Sequence, residues 1–275
     1  MRLTTHTLRS GTGTPVVLLH AFPLDARMWA EMAALLPAGT PVIAVDLPGM
    51  GASPLPDTLA PASTPSSDIT PSSDTAPSLD TAADAVAALW TEGGPLDRPA
   101  VVAGLSMGGY VALALAERHP ELIAALALLD TKAVADTSEA AAHRRRIADE
   151  AEHTDSVDPV RPMVNTLLGE STRATRPDLV AQVADWIEDQ RPAGIAWSQR
   201  AMAARADRTL VLRSWNRPSL VLVGAEDGPT PPEQATAMAA ELGTEPVIVP
   251  AAGHLTALES PLIVAEALSA LLARL

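Results

Sequence analysis

Short apolar runs alternate with amphipathic stretches along most of this chain. Residues 15–20 (Pro-Val-Val-Leu-Leu-His), 41–46, 99–105, 122–129, 220–224 and 246–249 are apolar at nearly every position, with proline, glycine or aspartate close by. Runs this short, rich in Val, Leu and Ile, read as strands buried on both faces. Between them, residues 27–36, 79–90, 107–118 and 261–275 carry apolar side chains at helical spacing; Pro37 and Gly39 end the first and Pro120 stops the third. The alternation predicts an α/β fold, a mostly parallel sheet with helices on both faces. Residues 3–8 supply at most one edge strand, so the sheet is expected to start with a reduced edge.

Two segments interrupt the pattern. Residues 54–78 are rich in Pro, Ser, Thr and Asp, and Pro-Ser-Ser-Asp occurs at 65–68 and again at 71–74. That composition reads as a low-complexity surface loop, with a flap over a pocket mouth as the functional alternative. Residues 131–213 are helical in pattern, show no clear strand and fall between two strands of the main sheet. An insertion there sits over the carboxyl ends of the strands, where open α/β sheets bind ligands. The expected organisation is a core of 1–130 and 214–275 and a helical cap of 131–213.

Composition narrows the function classes. A length of 275 residues suits one large α/β domain with an inserted subdomain. Aromatics are only 3% against 47% hydrophobic residues, so Ala, Leu and Val must fill the core. A formal net charge of −14 argues against nucleic acid and anionic membranes as partners. The absence of cysteine excludes disulfides, thiolate nucleophiles and cysteine-ligated metals. Lys132 is the sole lysine, a bias of the kind GC-rich bacterial genes produce. The first ten residues are polar and no apolar stretch is long enough to span a bilayer, so the expectation is a soluble, cytoplasmic protein.

The chemistry centres on Gly104-Leu105-Ser106-Met107-Gly108, where a strand pattern stops and a helical pattern starts. This is the context of a G-x-S-x-G nucleophile elbow, in which glycines let the backbone turn tightly and lift the serine hydroxyl off the sheet. A serine hydroxyl needs a base, and the base needs an orienting group. His254, after the 246–249 strand and before the closing helix, is the candidate base. His20 precedes the turn expected to build an oxyanion hole, and His6, His119, His143 and His153 read as surface residues. The acid should lie between serine and histidine in chain order. Asp227 fits; its neighbour Glu226 should point elsewhere by backbone alternation, and Asp130, at the end of the 122–129 strand, is the rival. The oxyanion donors are expected to be the backbone N–H groups of Met107, which follows the nucleophile, and Phe22, in the His20-Ala21-Phe22-Pro23 turn.

These pieces, with Asp46-Leu47-Pro48-Gly49-Met50-Gly51-Ala52-Ser53, Gly224-Ala225-Glu226-Asp227 and Gly253-His254, occur in the order and spacing of a family. The chain resembles the α/β-hydrolase superfamily from residue 15 to the closing helix. Within it, residues 129–140 are similar to bacterial esterases and enol-lactonases related to 3-oxoadipate enol-lactonase. The resemblance implies Ser106, Asp227 and His254 as catalytic triad and the Phe22 and Met107 N–H groups as oxyanion hole. The family usually has Gly where this chain has Ala21, which implies a slightly altered oxyanion turn.

Other clusters carry less. His143-Arg144-Arg145-Arg146 offers a carboxylate site but is expected to be a solvated helix face, since adjacent arginines point around a helix. Glu150, Glu152, His153 and Asp155 lack metal-site spacing. Trp29, Trp186, Trp197 and Trp215 read as core or cap packing, and Gly11-Thr12-Gly13 as a turn. The expected function is a serine hydrolase of carboxylesterase or lactonase type, acting on a small-molecule ester or lactone through an acyl-enzyme, with no cofactor and no metal. The same triad also serves C–C bond, thioester or amide hydrolysis and cofactor-free perhydrolysis, and a ligand-binding module on this fold is the non-catalytic alternative. A serine at the elbow disfavours dehalogenase chemistry, which in this superfamily uses aspartate there. Sequence alone sets no oligomeric state.

Overall fold

The computed structural model describes residues 1–56, 76–91 and 93–275. Of the low-complexity stretch expected at 54–78, residues 57–75 lie outside this description. The strands are β1 (Thr5–Arg9), β2 (Val16–Leu19), β3 (Val42–Val45), β4 (Ala100–Leu105), β5 (Ile123–Leu129), β6 (Ser219–Gly224) and β7 (Val247–Val249), and β2 to β7 arise from the predicted apolar runs. They form one sheet in the order β1-β3-β2-β4-β5-β6-β7, in which β1 is antiparallel to β3 and every other pair is parallel. All residues of β2, β3, β4 and β6 are buried, the pattern of parallel strands covered on both faces. β1 is the expected edge strand, placed slightly later than 3–8.

Helices α1 (Ala30–Ala34), α2 (Leu79–Ala87) and α3 (Met107–Arg118) follow the early strands, and α1 is preceded by a 3-10 turn over Ala26–Trp29. That turn starts at Asp25, whose carboxylate accepts the Arg27 N–H at 3.0 Å, as capping residues do. Between β5 and β6 lie α4 (Ser138–Thr154), α5 (Val164–Leu167), α6 (Glu170–Thr175), α7 (Pro177–Glu188), α8 (Pro192–Ala203) and α9 (Thr209–Ser214), with no strand among the described residues. Helix α10 (Pro232–Leu242), which the periodicity did not reveal, separates β6 from β7, and α11 (Thr256–Glu259) and α12 (Pro261–Leu272) close the chain. The alanine repeats of α10 blur its apolar face, since alanine suits core and surface alike.

Parallel register brings the strand ends into line. Leu19 pairs with Gly104, Leu105 with Leu129, Leu129 with Leu222, and Gly224 with Val249. The residues that leave β2, β4, β5, β6 and β7 at their carboxyl ends therefore emerge along one edge of the sheet. Among the described residues no helix is long and apolar enough to cross a membrane.

Candidate active site

The elbow is made by close approach. Ser106 has φ 54° and ψ −113°, a conformation L residues reach only under constraint. A Cβ on Gly104 would lie 2.2 Å from Gly108 O, and one on Gly108 2.1 Å from Leu19 O. Neither position accepts a side chain, so both glycines are required by space. The turn is tied to its neighbours: Ser106 N–H donates to Leu129 O at 3.0 Å, Gly108 N–H to His20 O at 3.1 Å, and Thr131 Oγ1 to Ser106 O at 2.8 Å.

Ser106, His254 and Asp227, which sequence reasoning put together, meet at this edge. Ser106 Oγ is 2.8 Å from His254 Nε2. His254 Nδ1 is 2.9 Å from each Asp227 carboxylate oxygen. All three are largely withdrawn from water, at 9%, 2% and 4% exposure. Thr230, which the sequence reading missed, completes the acid's environment: its N–H and Oγ1 donate to Asp227 Oδ1 and Oδ2 at 2.9 and 2.8 Å. The Asp-x-x-Thr spacing, an aspartate turning the chain onto its own side chain, was the available signal.

The rivals go elsewhere. Asp130 is fully buried; it accepts the Gly224 N–H at 2.9 Å through Oδ1 and the Thr256 Oγ1 hydroxyl through Oδ2. Burial, followed by the charge of Asp227, pushes its carboxyl well above the ordinary carboxylate range. Among the described residues it has no hydrogen bond to His254; it ties β6 to α11. Glu226 points away from His254, as alternation predicts, and accepts the Ser171 N–H at 2.8 Å. His20 Nε2 accepts the Leu47 N–H at 2.9 Å, so its proton sits on Nδ1, 2.9 Å from Ala21 O. Burial lowers the affinity of His20 for a second proton, which leaves a neutral ring bridging β2 and the turn after β3.

Among the described residues the Phe22 and Met107 N–H groups have no protein hydrogen-bond partner. Met107 opens α3, whose first N–H groups point out of the helix at its positive end. Ala21 is fully buried and is not among the residues with positive φ, so its methyl group fits without a left-handed backbone. Its N–H faces Met28 Sδ at 3.3 Å.

One sequence expectation needs correction. The arginine run is not wholly a solvated face: Arg144 turns inward, donating to Asp136 Oδ2 at 2.7 Å and Gln199 Oε1 at 3.1 Å. Arg145 and Arg146 stay exposed, so only the residue on the inward face of α4 was misread. Arg205 joins the same carboxylate at 2.7 Å and lies 4.3 Å from the Tyr110 ring centroid. Of the tryptophans, Trp29 and Trp197 are buried, and Trp186 packs under Arg27 at 5.4 Å. Among the described residues no group of three or more His, Cys, Asp or Glu is arranged to hold a metal ion.

Comparison with known proteins bears on the fold and the family. A model of the alpha/beta hydrolase family matches residues 16–267. A thermophilic esterase from Thermogutta terrifontis, solved with malate bound, superposes with a TM-score of 0.86 at 34% identity, covering 98% of this chain and 93% of that one. An enol-lactonase from Burkholderia xenovorans LB400 superposes with a TM-score of 0.82 at 23% identity, covering 98% and 96%. A pimeloyl-[acyl-carrier protein] methyl ester esterase from Neisseria meningitidis is 27% identical over 262 residues, 87% of this chain and 86% of that protein.

Proposed function

The chain belongs to the alpha/beta hydrolase family and is a hydrolase, and from that premise we propose that it cleaves small-molecule carboxylic esters or lactones through an acyl-enzyme on Ser106. The observation that carries this reading is the unbroken chain from Ser106 Oγ through His254 to Asp227, at 2.8 and 2.9 Å. His254 Nε2 takes the Ser106 proton as Oγ attacks the carbonyl carbon, and Asp227 stabilises the imidazolium that forms. The carbonyl oxygen becomes an oxyanion, and the Phe22 and Met107 N–H groups, without protein partners among the described residues, are its donors in this reading. His254 then returns the proton to the departing alkoxide and activates water to release the acid. In a lactone the alkoxide stays tethered to the acyl group, and no other step changes.

In this reading residues 131–213 form a cap over a core of 1–130 and 214–275, and the cap sets which acyl and alcohol groups enter. The esterase names of two relatives support starting a substrate panel with oxygen esters. The test is hydrolysis of short p-nitrophenyl esters and capture of a fluorophosphonate by purified protein. Ser106→Ala is expected to lower kcat by at least about four orders of magnitude and to abolish capture. A folded wild-type protein that neither turns over esters nor captures the phosphonate would overturn the proposal.

A further inference from the structure

The residue carrying the imidazole is held by its backbone as well as by its side chain. Three consecutive amides run through it, and each has a partner. The Gly253 and Leu255 N–H groups donate to the Glu259 carboxylate, to Oε2 at 2.9 Å and to Oε1 at 3.0 Å. The His254 N–H between them donates to Leu167 O, at the end of α5, at 3.0 Å. Glu259 Oε2 also accepts the Gly169 N–H, just before α6, at 2.9 Å. One half-buried carboxylate therefore binds the amides on both sides of His254 and an amide of the helical segment packed over it.

The surroundings leave this joint little slack. A Cβ on Gly253 would lie 2.2 Å from Gly169 N, and one on Gly224 2.0 Å from Gly253 O. The His254 loop is thus wedged between the end of β6 and the 167–169 segment, with Glu259 bonded to both sides of the second seam. Hydrogen bonds from amides to a carboxylate are stronger than neutral ones, and losing the acceptor leaves buried donors unpaired. Helix capping accounts for only one of the three bonds: Leu255 is the residue before α11, whereas Gly253 and Gly169 lie outside that helix.

We propose that Glu259 is a positioning residue for the reaction. It holds the His254 imidazole at proton-transfer distance from Ser106, and it makes that distance depend on the docking of residues 167–169. The inference rests on the triad reading above. It names a role for a residue that touches neither substrate nor reacting atoms. A displacement of the imidazole by even 1 Å is enough to cost about 10²-fold in rate.

The experiment compares wild type with Glu259→Gln and Glu259→Ala in kcat, KM and fluorophosphonate capture rate, and in the low-field proton resonance of the imidazole N–H shared with Asp227. In Glu259→Ala, kcat and capture rate are expected to fall on the order of 10²-fold with KM within about threefold of wild type. Glu259→Gln, which keeps one acceptor oxygen, should fall between the two. The low-field resonance should broaden or disappear in the alanine variant well below its melting temperature. A folded variant of either kind with kcat within about twofold of wild type would overturn the proposal. So would a fall in kcat with the resonance unchanged. Failure of Glu259→Gln to fold would overturn it too, because Glu259 would then be a determinant of folding. If wild type itself neither turned over esters nor captured the phosphonate, the serine-hydrolase reading would fall, while the resonance comparison would still test the positioning.

Discussion

Ser106 and Asp130 leave adjacent strands with positive φ, 54° and 45°, and each such non-glycine position costs on the order of 1–3 kcal/mol. At Ser106 the strain projects a hydroxyl toward His254. At Asp130 it directs a carboxyl between β6 and α11, where burial and Asp227 raise its proton affinity. The two aspartates therefore separate by experiment. Asp227→Asn should lower kcat by about 10⁴-fold, because the imidazole loses its orienting acceptor, while Asp130→Asn should keep most activity. The pH dependence follows from the sign of the shift. A carboxyl whose native affinity for protons exceeds its unfolded one stabilises the fold below its ordinary value of 3.8 and loses that contribution as pH rises through its raised native value. The melting temperature of Asp130→Asn relative to wild type should therefore climb as pH is raised from about 4 toward neutrality. A difference that stays flat with pH would show that Asp130 ionises without cost.

Among the elements, the α4–α8 pair is anchored by one buried carboxylate. Asp136, with a side chain 2% exposed, receives Lys132 at 3.5 Å, Arg144 at 2.7 Å and Arg205 at 2.7 Å. Burial alone would raise its proton affinity, but the hydrogen bonds from Arg205 and Arg144 and their charges outweigh it and hold the value down at about 2. Its contribution is complete above the ordinary carboxylate value and is lost as pH falls through about 2. Asp136→Asn keeps the shape and removes the charge, leaving the buried Arg205 guanidinium without its counter-ion. A loss of about 3–5 kcal/mol in denaturant unfolding at neutral pH is expected, shrinking toward pH 2. A loss below about 1 kcal/mol would mean that the cluster is solvated and structurally dispensable. This cluster was not legible in the chain, because it joins residues 132, 136, 144 and 205 through folding alone.

For the whole molecule, the helices between β5 and β6 are latched on two sides to the turns and the short helix at the carboxyl edge of the sheet. On one side Gln190 donates to Asp25 at 2.8 Å and accepts the Gly51 N–H at 3.0 Å, Arg27 pairs with Asp189 at 2.7 Å, and a Cβ on Gly194 would lie 2.1 Å from Gly49 O. On the other side Glu226 and Glu259 hold the segment around residues 169–171. Units tied this closely are expected to unfold together, so calorimetry should record one transition whose van't Hoff and calorimetric enthalpies agree. Two resolved transitions would show that the helices between β5 and β6 are an independent unit. The same latches explain why an organisation read from periodicity says nothing about rigidity, which depends on contacts made across long sequence separations.

Local information was enough for the strands, for α3, and for the identity of the elbow. Apolar runs of strand length and the Gly104-x-Ser106-x-Gly108 spacing express constraints acting within a few residues. Chain order and turn chemistry were enough to nominate His254 and to prefer Asp227 to Asp130. Tertiary structure alone decided which carboxylate the imidazole faces, because Asp130 directly follows β5 and Asp227 lies in the turn past β6, and only packing of the His254 loop sets which of them it meets. It also decided that Arg144 points inward, that Thr230 supports the acid, and that Glu259 reaches across to Gly169. The physical reason is common to all of them. A hydrogen bond between distant residues depends on distances of about 3 Å, and only packing of the whole chain sets distances that finely.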